Sequence, residues 1–313
     1  MAHNTAAYSR YLRGRYFARR GDVADVERGI EDLRKAISLE PGYAPAHVEL
    51  AAALVFMGTF GSDTQQALVE ARAEVDRALE LDPALRSAKD VRANLAIIAW
   101  DWPTARATID AQLAQDPRDA DARLRRGMLE RARGRAEQAV AFLRQALQVE
   151  PLRIVTHLHL AMALNYLGRA AEGRAVADAL IAISPVASKA RLLVGLDELR
   201  QRHYDAARAQ FARESGEWYR LQGEAMLAYA EKHLPDSDAA LQLLIAKHHD
   251  TAALQIAQAY AYRQERDKAF EWLDTAFRQH DPGLAVMLTD PLLVGLRGDP
   301  RFDAIRRRMQ LPG

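Results

Sequence analysis

Residues 120–151 read ADARLRRGMLERARGRAEQAVAFLRQALQVEP, and this stretch decides the fold. A helix is expected from Ala120 to about Arg133, where Gly134 breaks it. A second is expected from about Ala136 to Val149, ended by Glu150-Pro151, because proline cannot continue a helix. Gly127 is small enough to let the two helices approach, and Ala139 gives the same clearance from the other side. Leu143 and Ala146 share the face of Ala139 at helical spacing. The segment therefore reads as a helical hairpin with small residues at the crossing and one large residue filling the gap.

Working outward, Pro151 is one of a series. Pro83, Pro117, Pro151 and Pro185 lie 34 residues apart, in the phrases Leu81-Asp82-Pro83, Gln115-Asp116-Pro117, Val149-Glu150-Pro151 and Ile183-Ser184-Pro185. Leu39-Glu40-Pro41 is a fifth such phrase, 42 residues before Pro83. A fixed period of this size marks a solenoid of one repeated unit, in which each unit leans on its neighbours to bury its apolar side.

The pattern resembles the tetratricopeptide repeat, carried by Gly127, Ala139, Leu143, Ala146 and Pro151. The next unit offers Leu160, Ala161, Leu164, Gly173, Leu180 and Pro185, and the one before offers Ala93, Ala96, Ala105, Ile109 and Pro117. Leu50, Ala51, Leu54, Ala71, Val75, Ala78 and Pro83 form an earlier unit with about eight extra residues near Gly58 to Thr64. The first unit carries Gly14, Phe17, Leu33, Ala36 and Pro41. After Pro185, Gly195, Ala207 and Phe211 fit a sixth unit, Ala225 to His249 a degenerate seventh, and Ala257, Tyr260, Ala269, Leu273 and Ala276 an eighth. The resemblance implies an all-α, right-handed superhelical α-solenoid of about seven to eight hairpins over residues 1–281, with capping helices over 282–313. In that cap, Asp290-Pro291 and Asp299-Pro300 read as helix starts. A helix from Phe302 to Met309 ends in Arg306, Arg307 and Arg308, charges that suit a helix C-terminus.

The ends are more particular. Asn4-Thr5-Ala6-Ala7-Tyr8, Tyr11-Leu12-Arg13-Gly14-Arg15-Tyr16, Trp100-Asp101-Trp102, Tyr260-Ala261-Tyr262-Arg263 and Lys268-Ala269-Phe270-Glu271-Trp272-Leu273 stand out, as do Asp281-Pro282-Gly283-Leu284, Asp290-Pro291-Leu292 and Asp299-Pro300-Arg301-Phe302. Together they resemble the C-terminal tetratricopeptide region of bacterial ToxR-like winged-helix regulators and class III adenylate cyclases. In that family an effector domain precedes the repeats. The chain is then either a free-standing relative or a fragment whose effector domain lies upstream.

Composition narrows the function. Net charge is +1, which provides no global field for nucleic acid or an anionic membrane. Hydrophobic residues at 49% supply a continuous core, and charged residues at 27% a solvated surface. The chain has no cysteine, so disulfides, thiolate catalysis and cysteine-ligated metals are excluded. No apolar run reaches the roughly 18 residues of a membrane span. Met1-Ala2-His3-Asn4-Thr5 lacks the charged start and apolar stretch of a signal peptide. The expected compartment is the cytoplasm, or the periplasm if the chain is cut from a membrane-anchored regulator.

No catalytic or cofactor motif emerges. Phosphate-loop, His-Glu-x-x-His and Gly-x-Ser-x-Gly patterns are missing, and no enzyme activity, metal or cofactor is expected. His157 and His159, two apart on a helix, point in nearly opposite directions. His248-His249 ends a helix, and Asp236 and Asp238 read as capping acids in a loop. The arginines alternate with acids, which argues against a nucleic-acid face.

In repeats of this type the first helix of each hairpin lines the concave face. The positions that resemblance assigns to a partner-binding groove include Asn94, Arg125, Met128, Arg131, Leu158, His159, Met162, Asn165, Tyr166, Lys189, Leu192, Leu196 and Arg200. They make an apolar floor ringed by cations and amides, suited to an extended peptide or an amphipathic helix carrying a few acids. The Lys-Asn clamp of related chaperone adaptors is not reproduced, since Asp90 stands at the lysine position beside Asn94. The expected function is a non-enzymatic scaffold that binds a protein or peptide. The alternative is a sensory module that binds a small molecule or signal peptide for a regulator or cyclase-type effector. Glutamate at Arg125 or Arg131 is expected to weaken binding and leave the fold intact.

Overall fold

Three devices at helix ends and starts recur along the chain and set its architecture. The computed structural model describes residues 4–60 and 64–311, so the extra residues expected between Gly58 and Thr64 lie partly outside the described residues. Among the described residues all regular structure is helical. The chain divides into two compact units, Met1–Arg125 and Arg126–Gly313. The first holds α1 (Thr5–Ala18), α2 (Val23–Leu39), α3 (Ala44–Phe60), α4 (Thr64–Leu81), α5 (Arg86–Ile98) and α6 (Trp102–Gln115). The division falls within α7 (Ala120–Ala132). The second holds α8 (Ala136–Val149), α9 (Ile154–Tyr166), α10 (Ala170–Ile183), α11 (Ala190–Arg200), α12 (Tyr204–Phe211), α13 (Glu217–Ala230), α14 (Leu234–His248), α15 (Ala253–Tyr262), α16 (Arg266–Arg278) and α17 (Pro300–Arg308). Two 3₁₀ stretches, Pro282–Thr289 and Pro291–Leu296, join α16 to α17.

The first device is the periodic proline. α6, α8 and α10 each stop two residues before one, and the intervening Asp116, Glu150 and Ser184 have ψ of 99°, 80° and 98°. Proline excludes the helical conformation from the residue before it, so each second helix ends at the same place. The second device lies inside the hairpins. Trp100, Gly134, Gly168, Arg202, Lys232 and Gln264 all have φ between 60° and 74°. In each case the next residue's N–H reaches back to the carbonyl five before it, as in Arg135 to Glu130 at 2.8 Å and His203 to Glu198 at 2.9 Å. These are left-handed helix caps. They keep the repeat alive after the prolines stop.

The third device is the aspartate cap. Asp101, Asp290 and Asp299 accept from the backbone N–H of Thr104, Leu292 and Arg301, and each precedes a helix with proline in its first turn. Asp236 and Asp238 differ from the sequence reading. They lie within α14 rather than in a loop, and Asp238 pairs with Arg263 at 2.5 Å.

Close packing inside the hairpins follows from their small residues. A Cβ on Gly127 would stand 2.6 Å from Leu143 Cγ, so only glycine lets α7 and α8 meet there. In the first unit, α1 packs on α2, α3 on α4 and α5 on α6, around Leu33, Leu50, Ala71, Val75 and Ala78.

One polar contact in the first unit predicts a pH dependence. His47 on α3 is buried, with Nδ1 2.5 Å from Glu74 and Nε2 3.0 Å from the Pro41 carbonyl. Two acceptors favour an imidazole that donates from both nitrogens, and the Glu74 bond raises its pKa above the usual histidine value. The stabilisation is complete below the unfolded value of about 6.5 and is lost as pH rises through the higher folded value. Urea unfolding should therefore show stability falling as pH is raised through neutrality, and His47→Gln should remove that part of the fall. Equal slopes in both proteins would discount the contact.

Candidate functional site

The groove positions of the first unit are closed by their own charges. Arg125 donates from Nε and Nη2 to the two carboxylate oxygens of Asp90, each at 3.1 Å, and both side chains are under 10% exposed. This is a buried two-bond fork. It corrects the expectation that glutamate at Arg125 would leave the fold intact, because the substitution would bury two facing carboxylates. Asn94 on α5 is buried as well. Nearby, a cavity of about 500 Å³ is lined by Asp82, Arg86, Ser87, Asp90, Gln112, Asp119 and Asp121. Asp90 is engaged by Arg125, while Asp119 pairs with Arg86 at 2.5 Å and caps α7 at Ala122.

In the second unit the first-helix face is occupied by the chain itself. Residues 282–297 lie against α9 and α15. Leu284 through Asp290 are all buried, and a Cβ on Gly134 would be 3.7 Å from Leu288. Polar bonds fix the register. Asp281 accepts from the Leu254 N–H at 3.2 Å. Gln222 Nε2 donates to Gln258 Oε1 at 2.7 Å, and Gln258 Nε2 donates to Asp290 Oδ2 at 2.6 Å, a buried relay from α13 through α15 to the segment. At the far end Arg297 donates to Tyr166 Oη at 2.6 Å and to the Leu288 carbonyl, with its guanidinium 4.9 Å from the Tyr166 ring centre. Arg266 donates to the Gly295 carbonyl at 3.0 Å.

The remaining groove positions sort by this arrangement. Met128, Arg131, Leu158, Met162 and Leu192 are buried, and His159, Tyr166, Lys189 and Leu196 are half-buried. Arg131 donates from Nη1 to His159 Nδ1 at 2.7 Å and lies 3.9 Å from Met162 Sδ, which brings three of the predicted residues together. Arg131 is completely buried, which also overturns the expectation that glutamate there would be harmless. Burial pushes the Arg131 guanidinium down to about 10, with Asp290 acting in the opposite sense. Asn165 instead lies against Gly173 of α10, inside its own hairpin. Arg200 is exposed and pairs with Asp197 at 2.8 Å. The residues that sequence reasoning missed are Gln222, Gln258, Asp290 and Arg297. Their signal was the apolar run from Pro282 to Leu296, which carries no helical period and so needs a surface.

Other candidate groups have structural partners. His157 is buried with Nδ1 2.9 Å from the Arg153 carbonyl, and His248 Nε2 lies 3.0 Å from Glu217. Trp218 packs edge-on to His248. Among the described residues no group of three or more histidines and acids is placed to hold a metal ion. Among them, too, no helix is long and apolar enough to cross a membrane.

Comparison with known proteins bears on the fold. The tetratricopeptide-repeat family model matches residues 120–151, the α7–α8 hairpin. No curated protein matches the chain. A monomeric IFIT1 mutant with Gppp-AAAA is similar with a TM-score of 0.63 at 13% identity, over 96% of this chain and 71% of that one. The Cut9–Hcn1 structure from the APC/C is similar with a TM-score of 0.59 at 13% identity, over 96% of this chain and 62% of that one. The human IFIT1 dimer with m7Gppp-AAAA gives 0.61 at 14% identity, over 90% and 68%. At these identities the likeness is one of fold alone. It defines the class: an all-α array of tetratricopeptide-type helical hairpins.

Proposed function

We propose that the chain is a non-enzymatic scaffold that holds a protein or peptide segment against the first helices of its hairpins. The observation that carries this reading is the seating of residues 282–297 on α9 and α15. A largely apolar stretch held by buried leucines, with a few polar bonds fixing its register, is how such a face takes a peptide. A partner segment would extend from Leu196 and Arg200 on α11, at positions the resemblance assigns to the groove. Charge pairing favours a protein over a nucleic acid: Arg174 engages Glu198 at 2.6 Å, Arg208 engages Glu231 at 2.6 Å and Arg144 engages Glu172. The cytoplasm accords with this role.

The end motifs that resemble regulator and cyclase repeats support a second reading, a sensory module for an effector domain. The buried Arg131 favours it, since a charge placed there suits a ligand better than a fold. The test of the scaffold reading is photo-cross-linking in source cells from a reactive side chain at Arg200, with one at the exposed Leu243 of α14 as control. A discrete protein adduct from Arg200 that Leu243 does not give is the expected result.

A further inference from the structure

We infer that the buried, unbonded edge of Arg131, with Lys189 as a second cation, is the receptor for the carboxylate of a ligand. The inference rests on reading the first-helix face as a ligand-binding face, and it names the chemistry of that ligand.

Arg131 is among the largest fully buried side chains. Its Nη1 is used on His159, but Nε and Nη2 have no hydrogen-bond partner among the described residues. Those two nitrogens share one edge of the guanidinium. Arg125 shows what that edge takes in this same chain, since its Nε and Nη2 hold the two oxygens of Asp90. A planar fork of this kind matches a two-oxygen anion.

Lys189 supplies the second cation. It precedes α11 with φ of 71°, a left-handed conformation that a lysine adopts only when held. Glu214 holds it, accepting from the Lys189 N–H at 2.9 Å and the Leu192 N–H at 3.0 Å. The ammonium lies 5.5 Å from the Tyr219 ring centre, and among the described residues it has no carboxylate at ion-pair distance.

The acids that influence these cations are already engaged. Glu214 and Asp281 accept from backbone N–H groups, and Asp290 accepts from Leu292 and Gln258. Burial depresses both cations, and Asp290 is the first acid to oppose that effect in each. A buried cation without a direct partner is costly, and apolar replacements for such groups are often neutral or stabilising. Because the free edge is wholly buried, a ligand reaches it only when the packing around Arg131 opens.

The experiment titrates the full chain with malonate, with inorganic phosphate and with a blocked peptide of residues 286–293, each against chloride at equal ionic strength. Asp290→Asn removes the competing charge and keeps the cap on Leu292 through its one oxygen, while its Nδ2 keeps a bond to Gln258 only if the Gln222 and Gln258 amides both reverse. It should bind malonate or the peptide about tenfold more tightly than the wild type. Arg131→Met should abolish that binding while melting at or above the wild-type temperature, and Lys189→Met should weaken it. Malonate binding points to a small carboxylate and peptide binding alone to an acidic segment, and both support the receptor. Binding of phosphate alone, no response above chloride in Asp290→Asn, retained binding in Arg131→Met, or a clear fall in its melting temperature would each overturn it. A failed cross-link from Arg200 leaves this titration unaffected, so the two readings fail separately.

Discussion

Arg125→Glu should destabilise the chain by at least about 3 to 5 kcal/mol, the cost of breaking a buried ion pair from one side. Both partners are nearly inaccessible, and Asp90 meets the guanidinium through two bonds of 3.1 Å. The variant places a second carboxylate beside the first and removes the guanidinium that faced it. Both side chains are less than a tenth exposed, so little water would separate the two charges. The effect should appear as a large fall in urea midpoint. Reversing the pair with Asp90→Arg should restore part of it, which a cycle of single and double variants would isolate. A methionine–leucine pair at the two positions should come close to wild type, since buried ion pairs rarely beat well-packed apolar ones. An unchanged midpoint for Arg125→Glu would show that the pair is not buried as described.

Phe211→Ala should cost about 3 to 5 kcal/mol through lost burial and the cavity left behind. Phe211 is fully buried at the end of α12, and its ring fills the space between two successive hairpins. A Cβ on Gly195 would be 2.2 Å from its Cε1, and one on Gly223 would be 2.5 Å from its Cδ1. The ring thus touches α11 and α13 where neither has a side chain, and neither helix can move in to fill the gap. Phe211→Leu should cost clearly less. Chemical denaturation of both variants decides it: similar midpoints for alanine and leucine would mean that the ring is not wedged between the helices.

The same residue shows how far the fold was legible. Gly195, Ala207 and Phe211 mark a hairpin from their spacing alone, as Gly127, Ala139 and Leu143 do, because close helix approach demands small residues opposite one large one. The second glycine of the pair, Gly223, belongs to the next hairpin and has no fixed offset to reveal it. The proline period is equally direct, since each proline acts on the residue before it. The left-handed turns at Arg202, Lys232 and Gln264 carry no such signal. Glycine marks this position at Gly134 and Gly168, but backbone bonds hold any residue there.

The candidate site was harder to read for a different reason. Repeat register picks out Arg131, His159 and Met162, which the structure brings together, and Lys189, which lies just before α11. It treated the face as open, whereas Tyr166 and Arg297 meet across 131 positions of chain. Nothing local in either residue encodes that contact. Asp90 and Arg125 were each assigned to the groove without regard to the other. Opposite charges facing each other from α5 and α7 pair with one another inside the protein.

The central claim is that the first-helix face receives a protein or peptide. The most direct measurement is the photo-cross-link from Arg200 in source cells, with the adduct identified by mass and the site mapped on both chains. The account predicts a small set of partner proteins joined through one segment, absent when the reactive group is moved to Leu243. The same adducts from both positions, or none from Arg200, would contradict it.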